Sequence, residues 1–155
     1  MSFQTLTLEI DNHVATITLN RPEMMNAFSE QLIWEMGEAT KTVKDDSQIR
    51  VLVITGEGRG FTAGADLSER DASWSDTKDA LERGYYPFLK NIIDMPKPVI
   101  GSINGAAAGI GAAVAMACDL RIMAKEAYIM SVFSNIALVP DGGLSFLLTR
   151  EIGYS

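Results

Sequence analysis

The 155-residue sequence has one cysteine and one histidine. A lone Cys118 excludes an intramolecular disulfide, and with only His13 beside it no zinc cluster or Cys/His dyad is credible. Cys118 lies in an apolar run and reads as a buried, inert thiol. Cysteine usage of this kind fits a reducing, cytoplasmic setting. Basic residues are also scarce: 13 Lys and Arg stand against 20 Asp and Glu, a net charge of −7. That gives no footprint for nucleic acid. It also disfavours anionic ligands unless local donors overcome the overall field. Long apolar runs are missing. The stretch 106–118 is too short and too rich in Gly and Ala to span a membrane. The first ten residues lack the basic start and apolar core of a secretory signal.

What is there is an ordinary globular composition, 47% apolar and 21% charged, in a length suited to one domain. Residues 5–9 and 14–19 alternate about a turn at Asp11-Asn12, which predicts a β-hairpin. Ser29 is placed to cap a helix whose inner face carries Leu32, Ile33, Met36 and Val43. Residues 51–55 and 99–104 are short apolar runs, the pattern of strands buried on both faces. Between them, 79–95 has helical spacing that ends before Pro96 and Pro98, and 74–77 reads as mobile. Residues 105–111 read as a turn, 112–118 as a small-residue helix, 120–123 and 128–131 as strands, and 144–152 as a helix. The alternation predicts an α/β fold with parallel pairing. The chain stops with its last helix barely covered, so the expectation is the N-terminal part of a longer protein.

Two glycine-rich turns follow the apolar strands, GFTAGADL at 60–67 and NGAAAGIG at 104–111. Glycine admits close approach of a ligand to the backbone. A turn that enters a helix leaves N–H groups without partners, which suits an oxyanion or a phosphate. Tight strand–helix packing alone would equally explain either turn. Neither matches a P-loop or a dinucleotide loop.

Together with Arg21-Pro22, Asn26-Ala27, KPVIGSINGAAAGIGAAVAMACDLRIMA and LVPDGG, these segments resemble the enoyl-CoA hydratase/isomerase (crotonase) superfamily over essentially the whole chain. The resemblance implies a crotonase-like spiral of ββα units, here without the C-terminal helices that build trimers. It implies an acyl-CoA thioester as substrate, no metal and no further cofactor, and a homotrimer or dimer of trimers at full length. The family's oxyanion hole is two backbone N–H groups, which fall on Ala65 and Ile110. Ile110 departs from the glycine usual there, so its side chain must point away from the thioester or reshape the pocket. Asn26, Ala27 and Phe28 with Ala63, Gly64, Asp66 and Leu67 would line the CoA path, and Gly109 and Gly142 would border the substrate.

Catalytic carboxylates decide the reaction. The family's hydratases use two glutamates, whose positions here hold Ala113 and Phe133. Its isomerases place one carboxylate near Asp141, and FSNIALVPDGGLSFLLTR looks like the ring-epoxide isomerases of phenylacetyl-CoA breakdown. On the residues alone, Pro140-Asp141-Gly142 is simply a turn. With the resemblance, Asp141 becomes the proton shuttle of an acyl-CoA isomerase. The alternatives are an enoyl-CoA hydratase and a non-catalytic acyl-CoA-binding subunit. His13 reads as a solvated hairpin residue, Asp119 as structural, Asp66 as a helix cap, and Glu69 and Glu126 as surface charges. Met24, Met25, Phe61, Tyr85, Tyr86 and Phe88 are either core or acyl-pocket lining. Substrate choice is expected to depend on 71–86.

Overall fold

The computed structural model describes residues 3–69 and 73–154. Strands β1 (Leu6–Asp11) and β2 (Val14–Leu19) form the expected antiparallel hairpin. Its turn is Asn12-His13, one residue later than the sequence suggests, with φ of 46° and 70°. Two left-handed residues in a two-residue loop match the right-handed twist of the paired strands. The hairpin continues in parallel through β3 (Val51–Gly56), β4 (Val99–Ile103) and β6 (Leu120–Met123), in the order β1-β2-β3-β4-β6. A second, two-stranded parallel sheet pairs β5 (Ala106–Ala108) with β7 (Tyr128–Met130).

Helix α1 (Glu30–Asp45) starts where its cap predicts: Ser29 Oγ accepts from Leu32 N at 3.3 Å. It packs against β1, β2 and α3 (Tyr86–Ile93), burying Leu32, Ile33, Met36 and Val43. β3 and β4 are buried on one face and half covered on the other, not sealed on both. Alternation along each strand sends Leu52, Ile54, Val99 and Ile103 into the core and leaves their neighbours less covered.

The predicted single helix over 79–95 is three pieces. A short α2 (Thr77–Asp79), capped by Asp76, runs into a π-helical turn at Ala80–Tyr85 and then into α3. Pro87 has no N–H to give to Arg83, and the chain takes the wider register, with Tyr86 N–H bonded to Leu81 O. Trp74 is held rather than free. Its ring lies 5.3 Å from that of Trp34, and Arg83 sits 5.5 Å above it. The turn predicted over 105–111 contains β5, a strand that three alanines do not announce. Helix α4 (Ile110–Ala117) therefore begins two residues early. Helix α5 (Leu144–Ile152) closes the described chain.

Cys118 is buried, and burial pushes its thiol up to about 12. Asp119 is structural, accepting from Val99 N at 2.8 Å. His13 is exposed and bonds Gln48 O at 2.7 Å. Glu69 does more than cover the surface, since it accepts the first N–H of α1 from Glu30 at 2.7 Å.

Candidate active site

The two glycine-rich turns meet because the main chain zips them together. Thr62 N–H bonds Ala106 O at 2.9 Å and Ala108 N–H bonds Thr62 O at 3.0 Å, which links the first turn to β5. On its other side Phe28 N–H bonds Gly64 O at 2.7 Å and Asp66 N–H bonds Phe28 O at 3.0 Å. Ala63 N–H goes to Met25 O, and Gly64 N–H to Thr62 Oγ1. Among the described residues this leaves the Ala65 N–H without an acceptor.

Gly109, with φ of +55°, turns the second segment into α4. Its carbonyl takes Ala112 N–H and Ala113 N–H, so Ile110 N–H at the first helical position has no acceptor either. Gly64, with φ of +97°, lets the two turns touch. A Cβ on it would lie 2.7 Å from Ala108 O and 3.6 Å from Ile110 N. Two free backbone donors thus lie on adjoining turns, one at the N-terminus of a helix whose dipole favours negative charge.

Asn26 is fully buried. Its amide donates to Glu57 O and Gly60 O, and its Oδ1 accepts from Arg21 N. It locks the first turn from behind, beside buried Ala27 and Phe28. Asp66 starts no helix among the described residues, contrary to expectation. Ser68 N–H and Oγ–H donate to it, and Arg21 pairs with it at 3.0 Å. Ser68 foremost holds its carboxyl below the usual range, so Asp66 is a fixed anion. Leu67 is exposed.

Asp141 sits in the turn before α5, and its carbonyl accepts from Leu144 N at 2.9 Å. Its Oδ1 is sealed from solvent and has no hydrogen-bond partner among the described residues. Burial raises its pKa. Two cavities border it. One, of about 370 Å³, includes Phe28, Ala65, Asp66, Leu67 and Trp74. The other, of about 570 Å³, includes Leu89, Ile93, Val139, Pro140 and Gly142. Leu81, Tyr85 and Asp141 line both. Tyr85 carries no motif and its helical spacing reads as core, so the sequence alone does not mark it as a wall of the site. Phe61 and Phe88 are core.

The Ile110 side chain is buried and runs beneath the Asp141-Gly142 turn. A Cβ on Gly142 would lie 2.5 Å from Ile110 Cδ1 and 2.9 Å from Ala113 Cβ. Ala113 and Phe133 are both buried and cannot ionise. Among the described residues no group of three His, Cys, Asp or Glu side chains is arranged to hold a metal, and no helix is long and apolar enough to cross a membrane.

The enoyl-CoA hydratase/isomerase family model matches residues 9–155. The chain belongs to this family. It is 40% identical over 148 residues to the 1,2-epoxyphenylacetyl-CoA isomerase of Escherichia coli (strain K12), covering 93% of this chain and 56% of the relative. It is 39% identical over 153 residues to a probable enoyl-CoA hydratase of Rhodobacter capsulatus, covering 99% of this chain and 59% of the relative. The crystal structure of an enoyl-CoA hydratase from Bacillus anthracis superposes with a TM-score of 0.91 at 32% identity, over 98% of this chain and 60% of that one. The fold is the crotonase fold, and the chain spans under two thirds of the length of these relatives.

Proposed function

We propose that this crotonase-family chain carries the core of an acyl-CoA isomerase. The thioester oxygen accepts from Ala65 N–H and Ile110 N–H, and Asp141 moves a proton between two carbons of the acyl group. The observation that carries this reading is the place of Asp141. Among the described residues it is the one carboxylate that lines both cavities, and its pKa is raised, while both hydratase glutamate positions are apolar.

In steps, a carboxylate oxygen takes an α proton of a 3-enoyl thioester, and the electron pair passes into a dienolate. The two N–H groups hold the charge on oxygen, a contribution typically worth about 10²–10³ per donor. The same carboxyl then returns the proton to the other end, which shifts the double bond with no net gain of atoms. Coenzyme A is part of the substrate. Phe28, Ala65, Asp66 and Leu67, on the wall of the smaller cavity, border its path, while buried Asn26 and Ala27 support that wall from behind. The intact protein would act in the cytoplasm as a homotrimer or a dimer of trimers.

Enoyl-CoA hydratase is the second reading, favoured by the name of the Rhodobacter relative. Parallel assays separate the two. Isomerisation of a 3-enoyl-CoA at ordinary enzyme rates, on the order of 10 s⁻¹, with hydration of the 2-enoyl-CoA at least about a hundredfold slower, is the expected result. The opposite ranking would refute the isomerase.

A further inference from the structure

Tyr85 is 8% exposed and its ring is clamped. Phe28 meets it edge-on at 6.1 Å and Phe88 lies 6.0 Å away. Its hydroxyl makes no hydrogen bond among the described residues and is not sealed from solvent. The charged groups that act on it are Asp141, Glu69 and Asp66. All three line the smaller cavity with Tyr85, and the unsealed hydroxyl opens to the space that Tyr85 lines. The phenol stays protonated, because burial and those carboxylates oppose its ionisation. It is therefore a free donor at the junction of the two cavities. Asp141 lines the same two cavities.

We propose that Tyr85 is a specificity-determining residue: its hydroxyl donates to an oxygen substituent on the acyl carbons that lie beside Asp141. The preferred substrates are then oxygen-bearing acyl thioesters. The thioester oxygen already has two donors, of which Ala65 lines the smaller cavity. A third donor next to the base serves a second oxygen. A site that buries an unpaired donor discriminates against an acyl group that leaves it unpaired. Tyr85 lines both cavities. The inference rests on the acyl-CoA reading above and not on the direction of the chemistry.

The test uses ligands that cannot isomerise, on the intact protein, with dehydration of the hydroxylated ligand checked by the ultraviolet absorbance of the enoyl thioester. Calorimetric affinities are compared for a 3-hydroxyacyl-CoA and the saturated acyl-CoA of the same chain length, in the wild type and in Tyr85→Phe, which keeps the ring and its contacts. The wild type is expected to prefer the hydroxylated ligand by about five- to tenfold, the value of one hydrogen bond. Tyr85→Phe is expected to lose that preference while holding the saturated ligand as before. Equal weakening of both ligands, or a preference that survives in Tyr85→Phe, overturns the proposal. If the variant fails to fold, absence of any preference in the wild type overturns it alone. Because neither ligand can isomerise, the result stands apart from whether Asp141 proves to be the base.

Discussion

A residue in conflict with its surroundings is the most informative one in this chain. Asp141 holds a sealed, unpartnered oxygen and a raised pKa, a combination that costs stability and marks functional sites. The folded-state value lies above the ordinary 3.8, so between the two values the folded protein binds the extra proton. Stability therefore falls as pH rises through that window. Asp141→Asn removes the charge. At pH 7 it should raise unfolding stability, by up to about 1 kcal/mol, and the gap should close as the pH drops toward 4. Urea titrations of both proteins at several pH values give the check, and equal stability at every pH counts against the assignment. Asp141 itself was legible, because LVPDGG carries a family resemblance. Tyr85 was not, since a tyrosine in a helical pattern looks like core until the cavities are seen around it. Asp66 was misread as a cap because its partner, Arg21, lies 45 residues away.

At the scale of elements, the site depends on two turns closing to backbone distance. Gly64 permits that approach through its positive φ and missing side chain. In Gly64→Ala a Cβ would meet Ala108 O at 2.7 Å and push Ala65 N–H away from Ile110 N–H. Loss of one oxyanion donor predicts a fall in kcat of about 10²–10³ with a cooperative fold retained, as steady-state kinetics and thermal unfolding would report. A variant of near wild-type rate would argue against the paired donors. Periodicity found most elements: the hairpin, α1 with its Ser29 cap, and the parallel strands. It missed what depends on tertiary pairing. β5 exists because Ala106–Ala108 meets β7, and no alanine run signals that. The π-helical turn could have been found from Pro87, whose missing N–H breaks the α register that the apolar spacing suggests.

The whole molecule sets the field in which the site works. With a net charge of −7, and Glu30, Asp66, Glu69 and Asp76 around the smaller cavity, the chain repels the phosphates of coenzyme A at long range. Raising ionic strength from about 10 to 150 mM shortens the Debye length from roughly 30 to 8 Å. The association rate for acyl-CoA should then rise severalfold, and stopped-flow binding would reveal a fall if basic groups steered the ligand instead. The α/β class was readable from strand–helix alternation, and the crotonase fold from the family resemblance that the glycine turns help to carry. Cavity shape was not, because it depends on how the helices over 77–93 face the turn at 138–143.

The most direct measurement is the isomerase rate of Asp141→Asn on a 3-enoyl-CoA beside the wild type, with acyl-CoA affinity measured in parallel. The account predicts a loss of at least about 10²-fold in kcat, the scale of a general acid–base group, with affinity little changed. Full activity in Asp141→Asn would contradict it.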